Sequence, residues 1–90
     1  MKIRYSKKAL KFLAKQEKAT VTRIRSAVIK LTYTPPEGDI KELQGVKDKM
    51  RLRVGGFRII YSNSEETTKD GKQVEILNIE EIGNRGDIYK

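Results

Sequence analysis

Two hydrophobic periods divide this chain. Over residues 9–31 apolar side chains return at three- and four-residue steps: Ala9, Leu10, Phe12 and Leu13 in "SKKALKFLAKQ", then Val21, Ile24, Val28 and Leu31 in "ATVTRIRSAVIKLTYT". That spacing gathers each set on one side of an α-helix and leaves lysines and arginines on the other. Ser6 is suited to cap the first helix, since its hydroxyl can accept a first-turn N–H. Pro35 and Pro36 end the second, because proline has no N–H to donate and clashes with the preceding turn. The pattern predicts an antiparallel helical hairpin with a basic outer face, preceded by a short strand over residues 2–5, "KIRY".

Residues 34–49, "TPPEGDIKELQGVKDK", are rich in Pro, Gly and charge and predict a loop, with Ile40 and Leu43 as anchors onto the core. After it the period falls to two. "MRLRV" alternates Met50, Leu52 and Val54 with Arg51 and Arg53, Gly55-Gly56 has the composition of a two-residue hairpin turn, and "FRIIYS" resumes the strand. Asp70-Gly71 marks a further turn before a third strand, "QVEILNIEEI". The expected fold is α+β in a single domain spanning 1–90: an N-terminal strand, a two-helix hairpin, then a three-stranded antiparallel meander, with the helices packed on one face of the sheet.

A two-residue turn sets Val54 across from Phe57, Arg53 from Arg58, Leu52 from Ile59 and Arg51 from Ile60. Strand alternation then puts Met50, Leu52, Val54, Phe57, Ile59 and Tyr61 on one face, and Arg51, Arg53 and Arg58 together on the other. Like charges facing each other across a sheet cost up to about 1 kcal/mol. Two readings remain open. Either the arginines form a grip for an anion such as phosphate, which guanidinium geometry suits, or Glu75, Glu80 or Glu81 on the neighbouring strand pairs with them as surface salt bridges.

Charge sharpens the picture. Residues 1–36 carry ten basic side chains against Glu17 alone, and residues 37–90 carry ten basic against eleven acidic, so the net +8 belongs to the N-terminal part. Such asymmetry favours a polyanionic partner, nucleic acid above all, although a lysine-rich solvated helix surface has the same composition. The chain has no cysteine and no histidine, which removes disulfides, thiolate metal sites, cysteine nucleophiles and imidazole acid–base chemistry. No metal and no cofactor is expected. The opening "MKIRYSKKAL" lacks the apolar run of a secretory signal and no stretch has membrane-spanning length, so a cytoplasmic protein without a membrane partner is the simplest reading.

"LQG" at 43–45, "RLRVGGFRIIY" at 51–61 and the ending "IGNRGDIYK" at 82–90 resemble the RelE/ParE superfamily of toxins from bacterial toxin–antitoxin modules. The resemblance covers nearly the whole chain and implies a microbial RNase-like fold. RelE-type members enter the ribosomal A site and cut messenger RNA there by attack of a 2′-OH on the adjacent phosphate, without a metal. By position, Arg58 matches the hairpin arginine that stabilises the phosphorane-like transition state, and Arg85 the second arginine near the C-terminus. Arg51 and Lys49 stand where the family places residues for phosphate binding and leaving-group assistance, with Arg53 as an adjacent basic position. Tyr89 matches a C-terminal tyrosine implicated in base function or nucleotide stacking. At the acid position Arg51 replaces a lysine of some relatives and gives up a proton less readily, which makes Lys49 the better acid.

The expected function is a ribosome-dependent mRNA endonuclease toxin. In that reading Lys7, Lys8, Lys11, Lys15, Arg23, Arg25 and Lys30 of the helical hairpin bind ribosomal RNA through its phosphates, and the arginine face handles the scissile phosphate. The alternatives are a non-catalytic ParE-type inhibitor of DNA gyrase and a plain basic RNA-binding module. The expected partners are the ribosome, mRNA and an acidic antitoxin that wraps the domain; the chain is expected to be monomeric when free and hetero-oligomeric with antitoxin.

Overall fold

The computed structural model describes residues 1–84. Along them run β1 (Lys2–Tyr5), α1 (Lys7–Ala14), α2 (Lys18–Ile29), a 3-10 turn (Lys30–Thr32), β2 (Asp39–Glu42), β3 (Lys49–Val54), β4 (Phe57–Thr67) and β5 (Gln73–Asn84). The strands join in one sheet of order β1-β5-β4-β3-β2. β3, β4 and β5 form the meander that the alternation predicts. To it β1 adds in parallel along β5, with Lys2 opposite Ile76 and Tyr5 opposite Ile79, and β2 adds antiparallel along β3. The sheet is thus mixed and five-stranded, larger than the meander alone.

α1 and α2 bury their periodic side chains against one face of this sheet. Ala9, Leu13, Ile24, Val28 and Leu31 meet Leu52, Ile59, Tyr61, Leu77, Ile79 and Ile82 in the core, and Phe12 meets Phe57 edge-on with ring centroids 6.0 Å apart. At eight residues α1 is too short to be stable alone, so this packing holds it. Leu10, expected with its neighbours in the core, is instead 53% exposed. At 100° per residue the buried stripe takes the i, i+3, i+4 set of Ala9, Phe12 and Leu13 and turns Leu10 outward.

The segment 34–49 is not all loop. Asp39–Glu42 pairs with β3, setting Asp39 opposite Arg53, Ile40 opposite Leu52 and Lys41 opposite Arg51. Ile40 packs against the core as expected, whereas Leu43 lines cavities on the sheet. One apolar residue among charged neighbours carries no period; the exposed ladder of β3 supplies the order that the local sequence lacks.

Between β4 and β5 the register slips. Ile60 faces Glu81 but Tyr61 faces Ile79, which leaves Glu80 as an extra residue on β5. This bulge shifts the phase of alternation, so that Leu77, Ile79 and then Ile82 reach the core while Glu80 and Glu81 leave it side by side.

At the β3–β4 turn, Val54 faces Phe57 and Arg53 faces Arg58, as a two-residue loop requires. Gly55 has φ of 56°, and a Cβ there would also come within 2.6 Å of the Arg23 guanidinium; Gly56 has open space around it. Gly55→Ala is therefore expected to lower unfolding free energy by about 1–2 kcal/mol through left-handed backbone strain, and Gly56→Ala by much less, as measured by urea denaturation.

Candidate functional site

The face of the sheet away from the helices is built by the same alternation. It carries Lys41 on β2, Lys49, Arg51 and Arg53 on β3, Arg58, Ile60 and Ser62 on β4, and the bulge carboxylates on β5. Two of the arginines are deeply set: Arg51 is 3% exposed and Arg58 only 1%. Burying a guanidinium is costly without compensation. Part of it comes from Asp39, whose carboxylate oxygens lie 3.8 Å from Arg51 and from Arg53. That distance gives charge attraction without a hydrogen bond. Arg51 Nη1 and Arg53 Nε accordingly sit buried with no hydrogen-bond acceptor among the described residues. Across from Arg58 in the ladder stands Gly83. A cavity of about 500 Å³ opens beside Arg51 and Arg53, lined also by Lys41, Glu42, Leu43 and Gln44.

The glutamates do not pair with the arginines. Glu80 Oε1 lies 2.7 Å from Lys49 Nζ, and its Oε2 accepts a hydrogen bond from Ser62 Oγ. Glu81 forms an ion pair with Lys8 of α1, and Glu75 faces Glu65 in the outer part of the hairpin. The salt-bridge role anticipated for them is taken by Asp39. Burial pushes the Glu80 carboxyl up, but hydrogen bonds from Lys49 and Ser62, with the Lys49 charge, outweigh it and hold the group below its ordinary value. Tyr5 and Tyr61 are both pushed up, in each case by burial, which the nearby Arg25 offsets in part for Tyr5. Neither phenol is suited to serve as a base at neutral pH.

The structure thus brings Lys49, Arg51, Arg53 and Arg58 onto one face. Arg85 and Tyr89 lie outside the described residues. The helical cations Lys7, Lys8, Lys11, Lys15, Arg23, Arg25 and Lys30 are all exposed, but they belong to the opposite layer. Three of them have specific engagements. Lys8 reaches the sheet rim at Glu81, Arg23 approaches the β3–β4 turn, and Arg25 lies 5.8 Å from the Tyr5 ring centroid. Asp39, Lys41 and Ser62 join the face without having been singled out in the sequence. Ser62 alone had a signal there, as the polar residue in phase with Arg58 at the end of "FRIIYS".

No family model and no curated protein matches this chain. Among solved structures, the RelB–RelE antitoxin–toxin complex from Methanococcus jannaschii contains a chain of the same architecture. The TM-score is 0.68 over 97% of this chain and 95% of that one, at 20% sequence identity. Two helices on a five-stranded mixed sheet are here the RelE-like α+β fold. No helix among the described residues is long and apolar enough to cross a membrane.

Because Glu80 has a lower pKa folded than unfolded, it adds stability that is present above the unfolded value and is lost as pH falls through the folded one. The stability gap between the wild type and Glu80→Gln is expected to hold at neutral pH and to close as pH drops below the ordinary 4.5, as read from urea midpoints across an acid titration.

Proposed function

We propose that this chain is the toxin of a toxin–antitoxin module and acts as an endoribonuclease on mRNA held by the ribosome. The observation that carries the reading is the arginine face. Guanidinium donors are buried there at high cost, two of their N–H groups lack an acceptor among the described residues, and the one carboxylate between Arg51 and Arg53 stands off at 3.8 Å. A phosphate supplies both the charge and the acceptor oxygens such a face requires.

In the reaction, the 2′-OH of one nucleotide attacks its own 3′-phosphorus while the 5′-oxygen of the next nucleotide departs. A 2′,3′-cyclic phosphate and a 5′-hydroxyl result. Negative charge accumulates on the non-bridging oxygens at the transition state, and fixed guanidiniums at Arg51, Arg53 and Arg58 stabilise it more than the ground state. Lys49, on the same strand and face, protonates the departing oxygen more readily than an arginine does. Arg85 and Tyr89 complete the set in this reading, with Tyr89 as base or stacking platform. The exposed cations of α1 and α2 hold ribosomal RNA by its phosphates, and an acidic antitoxin neutralises the same charge. The RelE-like fold, found in a chain of an antitoxin–toxin complex, supports that pairing.

Arg58→Ala is expected to lower single-turnover cleavage of mRNA on programmed ribosomes about 10²–10³-fold with ribosome affinity little changed; Arg58→Lys serves as a control that keeps a charge at this buried position. Equal losses of cleavage and binding would remove the catalytic role, and gyrase inhibition with intact messenger would replace the endonuclease reading. Lys11→Gln with Lys15→Gln is expected to do the reverse, weakening ribosome binding and flattening its dependence on salt by about one contact per charge removed, with the cleavage step unchanged once bound.

A further inference from the structure

The Lys49 of that chemistry is held in a cluster whose other members have no place in it as described: the bulge residue Glu80 with Ser62 and Ser6. We propose that Glu80 is a positioning residue, which holds the Lys49 ammonium over the arginine face from a β-bulge locked by the cap of the first helix. The proposal rests on the endonuclease reading for its consequence, but on local geometry for its substance.

The bulge is fixed by Ser6. Its backbone N–H donates to Ile79 O at 2.9 Å, and its hydroxyl donates to Glu80 O at 2.7 Å while accepting from Ala9 N at 3.0 Å. One residue thereby secures the carbonyls of two successive residues at the point where the β4–β5 ladder slips, and ties them to the start of α1. An extra residue in a strand leaves backbone groups unpaired, and Ser6 takes up the one at Glu80. The carboxylate above it is held from two directions, with one oxygen on Ser62 Oγ and the other on Lys49 Nζ. Ser62 is itself the cross-strand partner of Lys49, so three strands converge on one ammonium.

Stability does not explain this construction. Lys49 and Glu80 are 40% and 30% exposed, and pairs so open to water contribute little to folding. A lysine on a flexible four-carbon stem, by contrast, has many positions to lose, and an ammonium two residues from Arg51 on the same face acts on a phosphate only from one of them. Fixing a reacting group in place is worth up to about 10²-fold in rate for a displacement near 1 Å. The pair also borders the cavity of about 480 Å³ floored by Ile60, so its ammonium is reachable by a ligand on the face.

The experiment compares Glu80→Ala, Glu80→Asp, Lys49→Met and the Glu80→Ala, Lys49→Met double variant in single-turnover cleavage on programmed ribosomes. Heteronuclear NMR of the lysine ammonium groups is recorded on the free wild-type protein and on Glu80→Gln. Glu80→Ala is expected to slow cleavage about 10- to 100-fold with ribosome affinity within about twofold, Glu80→Asp to recover part of the loss, and the double variant to be no slower than Lys49→Met. Wild-type rates in Glu80→Ala, or losses that multiply in the double variant, would overturn the proposal. The NMR arm separates the two readings. If wild-type protein leaves ribosomal mRNA intact, the endonuclease reading fails by itself. The positioning role then stands if the protected Lys49 ammonium signal disappears in Glu80→Gln, and falls if that signal is unchanged.

Discussion

The structure turns on one constraint, the two-residue closure at Gly55-Gly56 that forces Arg53 against Arg58. Side chains on paired strands alternate strictly, so the closure that sends Leu52, Ile59 and Tyr61 into the core must send Arg51, Arg53 and Arg58 out on the reverse side. A slip of one residue would bury the arginines under the helices. The hydrophobic core therefore enforces a register whose electrostatic cost falls on the face opposite the packed helices.

That cost is met in part by an element with little order of its own. β2 has only Ile40 to bury, yet it brings Asp39 between Arg51 and Arg53 at a distance that tempers repulsion and leaves donors open. At 3.8 Å the carboxylate attracts both guanidiniums without a hydrogen bond to either. On the other side, the bulge at Glu80 and Glu81 diverts two further carboxylates to Lys49 and Lys8. The carboxylates near this face are thus divided, Asp39 to Arg51 and Arg53, and Glu80 and Glu81 to Lys49 and Lys8.

The two layers of positive charge are distinct. Lys7 and Lys11 of α1 lie on the exposed side of the helices, while Arg51 and Arg58 of β3 and β4 are recessed. The fold keeps the two sets on opposite layers, with Lys8, Arg23 and Arg25 as helical cations that reach the sheet or its turn.

Periodic burial was legible in the residues: both helices, the Ser6 cap, the β3–β4 register and the three cations of the arginine face follow from steps of three, four and two, because an amphipathic segment can bury its apolar side in only one way. What lacked a period lacked a signal. The β2 strand, the parallel docking of β1 along β5, the exposure of Leu10 and the bulge at Glu80 were settled by neighbours distant in the chain, through ladder hydrogen bonds open to any sequence and packing space set by other elements. For the same reason the charges of Arg51, Arg53 and Arg58 could be placed on a face from sequence alone, but the partners of Arg51, Arg53 and Lys49 could not. Ion pairs form between whichever groups the folded backbone brings within reach, and only the tertiary structure chose Asp39 for the arginines and Glu80 for the lysine.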